Sequence, residues 1–212
     1  MKKLLTIIGL FIFYSASAQN FSISAIKNNV LYIGVDNPLT IAVENYPSNQ
    51  ILVKVNKGKI TGGEYAKMYN YQGIEPGFVV FTIFKKSDLK EIGRANFRAK
   101  YLPGPVAKVG PSAGGDIQKI VLENQQYIRA ELDNFDFDVR YSIDSFTLTI
   151  IRPDTCFYKQ VKNVGNKFGS SVSEALKMIR KNDIVIFDKI YAIGPDGRRM
   201  RLSPIIFNII EP

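Results

Sequence analysis

Residues able to do chemistry are sparse in this sequence, and their types limit the reactions it could support. The 212-residue chain contains no histidine and a single cysteine, Cys156. Without an imidazole, the usual general base, proton shuttle and metal ligand are missing. One cysteine excludes an internal disulfide and any zinc or iron–sulfur site built from several cysteines. We therefore predict no catalytic residue, no metal site and no bound cofactor.

The thiol of Cys156 is not expected to be reactive. Its neighbours Thr155, Phe157 and Tyr158 predict a strand, in which a cysteine would be a small buried apolar residue. A catalytic thiolate also needs an activating partner, and no histidine is available.

Acidic residues cluster in the second half of the chain and could suggest a cation site. The cluster consists of Asp133, Asp136, Asp138 and Asp144. It lacks the regular oxygen spacing, central glycine and terminal glutamate of a dedicated calcium loop. Because the middle two aspartates alternate with apolar residues, a solvated strand face is the better interpretation.

A carboxylate pair would be the remaining route to catalysis, since glycosidases need no histidine. The candidates are Glu131 with Glu123 or Asp133, all near predicted strand ends. They would have to converge in a cleft with raised pKa values. An exported hydrolase or carbohydrate-binding domain on a β-sandwich is therefore the alternative function.

The N-terminus predicts export. Lys2 and Lys3 precede an apolar run, residues 4–14, which is followed by Ala16 and Ala18 in an Ala-x-Ala pattern. This is the pattern of a cleavable signal peptide, residues 1–18, with Gln19 as the mature N-terminus. The run is shorter than a membrane-spanning helix requires, so we expect a periplasmic protein without a transmembrane anchor.

The positive charge does not indicate a nucleic-acid partner. The chain carries 28 basic and 19 acidic side chains, a formal net charge of +9. A nucleic-acid-binding protein concentrates its charge in a stripe with interleaved aromatic residues. Here the basic residues are scattered along the sequence, which indicates a solvated, mildly basic surface.

The pattern of short apolar runs predicts a mainly β protein with two β-rich domains. Runs at 21–26, 30–35, 39–44, 51–55, 77–84 and 93–101 predict an immunoglobulin-like sandwich over residues 19–103. Prolines at 103 and 105, followed by a glycine-rich stretch at 110–115, mark a boundary because neither continues a central strand.

Residues 104–212 predict a second β-rich domain with one helix. Apolar residues at every second position from Phe135 to Ile143 predict a strand, and a phase slip at 144–145 predicts a bulge, bend or turn. Ser171 and Glu174 form a capping box, so we expect a helix near 171–181 that ends at Asn182. Runs at 184–193 and 199–210 flank a Pro-Asp-Gly turn at 195–197, which predicts a terminal hairpin.

Charged residues at this terminal hairpin are the candidate partner interface. They are Asp196, Arg198, Arg199 and Arg201. Arginine is enriched at interfaces because its planar fork makes bidentate contacts. We expect charge reversal at Arg198 and Arg199 to weaken partner binding and leave the fold intact.

Four segments resemble the C-terminal periplasmic domains of the GldM family, also called PorM, of Bacteroidetes gliding motility and type IX secretion. They are residues 30–43 (VLYIGVDNPLTIAV), residues 101–105 (YLPGP), residues 134–141 (NFDFDVRY), and residues 187–204 with their GPDGR turn. They occur in the family's order and are spread over nearly all of residues 19–212.

The resemblance implies two consecutive β-rich domains that form a protein–protein interaction module. In the family, an N-terminal transmembrane helix joins GldL in a proton-driven motor, and the last domain contacts the ring proteins GldK and GldN. This sequence predicts a signal peptide in place of that helix, so we expect only the partner-binding end to carry over. The expected partners are envelope proteins, such as GldK-like or GldN-like ring components, or a second copy in a homodimer. A purely structural surface module is a further alternative.

Overall fold

The computed structural model describes residues 21–25, 29–63 and 67–211. The predicted signal peptide lies outside the described residues. Within them the chain is mainly β, which confirms the predicted fold class. No helix within these ranges has the length and apolarity to cross a membrane.

The first half of the chain forms two four-stranded sheets. Its strands are β1 (Phe21–Ala25), β2 (Val30–Tyr32), β3 (Asn37–Val43), β4 (Ile51–Val55), β5 (Lys59–Gly62), β6 (Met68–Gln72), β7 (Gly77–Lys85) and β8 (Glu91–Lys100). One sheet has the order β1-β3-β6-β5 and the other has the order β2-β8-β7-β4. The runs expected at 30–35, 39–44 and 51–55 each overlap a strand, and β7 and β8 form the expected hairpin.

One hydrophobic core fills the space between these two sheets. Alternate residues of β7, namely Val79, Phe81 and Ile83, are fully buried, as expected for strands with one face on a core. The ring of Phe81 lies 5.4 Å from that of Tyr71 on β6 and 4.9 Å from that of Phe97 on β8. Both sheets contribute to one cluster, which makes this half a β-sandwich.

Asn37 closes the free edge of the short strand β2. Its side-chain Oδ1 accepts the backbone N–H of Tyr32 at 2.7 Å, and its Nδ2 donates to the Tyr32 carbonyl at 2.8 Å. The same Nδ2 also donates to the Tyr71 carbonyl at 3.1 Å. The buried amide therefore takes the place of a neighbouring strand, satisfying an edge that would otherwise be open to pairing.

The second half is built on one mixed sheet. Its strands are β9 (Val106–Val109), β10 (Gly115–Gln118), β11 (Ile128–Glu131), β12 (Ser142–Arg152), β13 (Phe157–Val164), β14 (Ile184–Ile193), β15 (Arg199–Arg201) and β16 (Ile205–Ile210). The sheet order is β10-β16-β14-β12-β13, with β15 paired to the end of β14 and with β9 and β11 as a separate ribbon. A second core, distinct from the first, draws on residues 107–209.

Two helices belong to the second half: α1 (Lys119–Glu123) and α2 (Ser170–Lys177). The apolar face expected for α2 is confirmed, since Val172, Ala175 and Leu176 are buried. Its predicted boundaries are wrong: Gly169 is the N-cap, no side chain caps the helix, and it ends at Lys177 rather than Asn182. At the end of the helix the Met178 N–H donates to the carbonyls of Ala175 and Leu176. Asn182, whose backbone φ is 64°, lies in the connection to β14.

The strand predicted over Phe135–Ile143 is wrong for most of its length. Residues 132–141 form turns and loop, and β12 begins only at Ser142. The two phenylalanines pack instead on the first half, with ring centroids 5.1 Å (Phe135) and 5.4 Å (Phe137) from that of Tyr32. The alternation of apolar and polar residues therefore arises from a loop whose phenylalanines cover the surface around Tyr32. Asp136 and Asp138 are exposed to solvent as expected, but they lie in this loop and not on a strand face.

The bulge predicted at 144–145 is confirmed. The pairing of β12 with β14 shifts register on both sides of Ser145. The strand position and the burial predicted for Cys156 are wrong: the residue is exposed in the turn between β12 and β13, with a left-handed φ of 52°. The expected terminal hairpin forms between β14 and β15. The second strand of the hairpin is interrupted at residues 202–204, and β16 then pairs with β14 further along.

Candidate partner-binding surface

The structure divides the four predicted interface residues between two places. Asp196 and Arg198 lie in the turn after β14, against the end of the first half of the chain. Arg199 and Arg201 lie on β15, at one end of the large sheet. The four residues therefore do not form one continuous patch.

Asp196 and Arg198 make internal contacts. The side chain of Asp196 is 2% exposed and accepts the Arg198 backbone N–H at 3.0 Å and its Nε–H at 2.6 Å. The Arg198 guanidinium carbon lies 3.7 Å from the centroid of the Tyr101 ring, in cation–π geometry. Arg198 thereby connects the terminal hairpin to the residue that follows β8.

Two further contacts surround this pair. A Cβ added to Gly34, at a φ of +85°, would meet the Asp196 backbone nitrogen at 2.6 Å, so only glycine allows this approach. Tyr141 donates its hydroxyl to the Pro103 carbonyl at 2.7 Å, and burial raises the pKa of that hydroxyl. We call Gly34, Tyr101, Tyr141, Asp196 and Arg198 the joint.

A cavity of about 1060 Å³ lies beside the joint. Its charged lining residues are Asp36, Asp136, Asp138 and Arg140. Gln72 donates to Asp36 at 2.8 Å, and this hydrogen bond is the main reason that the pKa of Asp36 is lowered. The cavity is thus an acidic recess in a chain of net positive charge.

Arg199 on β15 is held by an acidic residue of β12, the strand on the far side of β14. Its Nε and Nη2 donate to Oδ2 of Asp144 at 2.9 and 2.8 Å, and its guanidinium carbon lies 3.7 Å from the Tyr191 ring centroid. The hydrogen bonds from Arg199 hold the pKa of Asp144 below its usual value. Arg201 is exposed and, among the described residues, makes no ion pair.

Arg199 and Arg201 border the face of the large sheet that points away from the second core, which we call the outer face. Strand alternation places the core residues Val185, Phe187 and Phe207 on the opposite side. Apolar residues of the outer face include Ile151, Ile184, Ile186, Ile206 and Ile210. Ile206 and Ile210 are 47% and 42% exposed, so apolar surface on this face remains open to solvent.

The carboxylates proposed for a glycosidase do not form a buried pair. Lys108 Nζ lies 2.6 Å from Asp133 Oδ1 and 3.5 Å from Glu131 Oε2, and both acidic side chains are exposed. The hydrogen bond to Asp133 raises the pKa of Lys108. A general acid needs a carboxyl kept protonated by burial, whereas these two share a cation at the surface.

Sequence reasoning did not identify the outer face, although the signal is present. A strand with one solvated face alternates apolar and polar residues, whereas residues 205–210 read IIFNII and residues 184–187 read IVIF. Apolar residues on both faces indicate that both faces contact other groups. The core occupies one of these faces, and only the structure shows that the other one is open.

Comparison with protein families gives two adjoining matches. Residues 20–100 match the GldM third domain, and residues 103–210 match the GldM C-terminal domain. Domains of this family are structural and non-enzymatic in kind, and the C-terminal ones are periplasmic in their family context. No curated protein matches the chain.

Two solved structures illustrate the low structural similarity found for this chain. Domains 6–7 of surface layer protein SbsC are 10% identical, with 90% of this chain and 99% of that chain covered at a TM-score of 0.32. Fibronectin(III)-like modules of Clostridium thermocellum CbhA are 10% identical, with coverage of 90% and 95% and a TM-score of 0.27. At these scores the likeness carries no argument about function.

Proposed function

The chain belongs to the GldM family, and from that membership we propose that it is a non-enzymatic periplasmic module that binds envelope proteins of the gliding or type IX secretion machinery. The observation that carries the proposal is the pair of adjoining matches, which together span residues 20–210 in the family's domain order. The partners we propose are ring proteins of the GldK and GldN type.

The outer face, bordered by Arg199 and Arg201, is the surface we assign to this partner. It combines solvent-exposed apolar area at Ile206 and Ile210 with exposed arginine. Apolar residues are common at the centre of protein–protein interfaces, and arginine is enriched among the residues that contribute most to binding. Asp196 and Arg198 support binding indirectly, because their side chains hold the joint. Of the four candidate residues, Arg201 is the one whose charge no described acidic group neutralises.

Affinity capture of the mature chain from gently crosslinked envelopes of its host tests this function. We expect ring or shaft components of the machine to be recovered by the unaltered chain and lost with Arg201→Glu. Lys59→Glu, an exposed charge reversal on β5 of the first half, is the matched control and should capture as well as the parent chain. Recovery of no envelope protein by the parent chain would refute the proposal.

A further inference from the structure

Strand β13 is an open edge of the large sheet. It pairs with β12 over all eight of its residues, and no other described strand pairs with it. Gly165, which follows β13, donates its N–H to the Asp144 carbonyl at 2.7 Å. Because the antiparallel ladder alternates, residues 157, 159, 161 and 163 also turn their backbone groups toward β12. The N–H and carbonyl groups of Tyr158, Gln160, Lys162 and Val164 therefore point away from the sheet.

The side chains at these outward positions are also available to a neighbour. Tyr158 is 61% exposed and Val164 is 89% exposed, although both residue types are usually buried when they lie in a strand. They lie at the two ends of the edge, with Gln160 and Lys162 between them. A strand added here would place its own side chains opposite an apolar, a polar, a basic and again an apolar residue.

Charge decides what kind of strand the edge can accept. Residues 155–173 contain three lysines, at positions 159, 162 and 167, and no aspartate or glutamate. Lysine on an edge strand disfavours pairing with a second copy of the same edge, because like charges are brought together. The same lysines favour a strand that carries acidic residues.

From this geometry we propose that β13 binds an extended, acidic segment of a partner protein by strand addition, which continues the large sheet by one strand. Main-chain hydrogen bonds to the outward groups supply affinity, as in other strand-addition complexes. Selectivity comes from the partner's side chains: apolar ones that contact Tyr158 and Val164, and a carboxylate that pairs with Lys162. This inference deepens the proposed function and rests on it for the identity of the partner.

Proline substitution tests the edge directly. Gln160→Pro removes one outward N–H and leaves the ladder to β12 intact, because the residue 160 N–H does not point to β12. Gln160→Ala is the matched control, since it also loses the Gln160 Nε2 to Thr149 Oγ1 hydrogen bond of 3.3 Å. The probe is a fluorescent peptide as long as β13, with valine opposite Tyr158 and Val164, glutamate opposite Lys159 and Lys162, and threonine at the remaining positions. The readout is fluorescence anisotropy on the full mature chain.

We expect the acidic peptide to bind the parent chain and Gln160→Ala alike, and to bind Gln160→Pro and Lys162→Glu about tenfold more weakly. Melting temperatures check that each variant is folded. Equal binding of the same peptide with both glutamates changed to lysine would overturn the charge argument. A parent chain that forms dimers lost in Gln160→Pro would overturn the proposal in favour of a second copy. Peptide binding does not depend on envelope capture, so failure of this inference and failure of the proposed function are distinguishable.

Discussion

Arg198 lies over Tyr101, with its guanidinium carbon 3.7 Å from the ring centroid, although the two residues belong to opposite halves of the chain. Tyr101 directly follows β8, and Arg198 follows the turn after β14. The buried Asp196 carboxylate fixes the Arg198 Nε at 2.6 Å, which keeps the guanidinium in place. Arg198, one of the residues predicted for partner binding, thus connects the two halves of the molecule.

Arg198→Ala should loosen the joint without unfolding either core. Cation–π contacts contribute about 0.5–2 kcal/mol, so we expect a modest loss of stability and faster proteolysis at the residue 102–105 connection. Limited proteolysis followed by mass spectrometry measures this. Arg201→Ala, on the same hairpin but exposed, is the control and should be cleaved at the parent rate. Equal cleavage of both variants would show that the Arg198 contact does not hold the joint.

Gly34→Ala should be more destabilising than Gly165→Ala, although both glycines have a left-handed φ, +85° and +78°. Left-handed backbone costs alanine about 1–2 kcal/mol at either position. At Gly34 the new Cβ would also meet the Asp196 backbone nitrogen at 2.6 Å, whereas nothing lies within 4 Å at Gly165. We expect a further cost of roughly 1–3 kcal/mol at Gly34 from overpacking. Urea denaturation of the two variants measures the difference, and equal midpoints would argue against a tight joint.

The sequence was informative where one local rule decides the structure. The phase slip at residues 144–145 could only be a bulge or a turn, because a straight strand would have turned its buried face outward. Likewise, the segment at residues 85–90 is charged and polar apart from Leu89, so it offers no apolar face to bury, and β7 and β8 form a hairpin around it.

The sequence pattern was misleading where a contact between residues far apart in the chain decides the local structure. The alternation from Phe135 to Ile143 is typical of a strand, yet its phenylalanines face Tyr32, which lies about a hundred residues earlier in the sequence. Cys156 lies between two apolar runs, but the hairpin turn between β12 and β13 takes that position and exposes the residue. The separation of Arg198, in the joint, from Arg199 and Arg201, at the outer face, also depends on the strand register, which the sequence does not specify.

Asp144 should titrate at a higher pH in Arg199→Gln than in the parent chain. Hydrogen bonds from Arg199 lower its pKa in the folded protein, and an unfolded aspartate titrates near pH 3.9. A lowered pKa stabilises the fold above the unfolded value, and this contribution is lost as the pH falls through the folded value. Carboxyl-carbon NMR titration follows the residue directly. An unchanged Asp144 midpoint in Arg199→Gln would contradict the assigned cause.

Asp183→Ala should strongly destabilise the second core. The carboxylate is fully buried and accepts Arg152 Nε at 2.8 Å, Arg152 Nη2 at 2.9 Å and the Arg180 backbone N–H at 2.9 Å. Removing it leaves the mostly buried Arg152 charge without its partner, so we expect the melting temperature to fall by about 10 °C. The double variant with Arg152→Met should be more stable than Asp183→Ala alone, because no unpaired charge remains. Calorimetry of the three proteins measures this order, and a double variant less stable than Asp183→Ala would contradict it.

Ile206→Thr separates partner binding by the outer face from stability of the sheet. Ile206 is 47% exposed beside Ile186, and threonine keeps the β-branched shape that strands favour, so the melting temperature should change little. If the outer face binds the envelope partner, losing this apolar contact should weaken capture about tenfold. Val106→Thr on β9 is the matched control, since Val106 is 43% exposed away from this face. Capture from crosslinked envelopes, normalised to folded protein, compares the two variants. Equal capture would remove the outer face from the binding surface and leave the β13 edge as the remaining candidate.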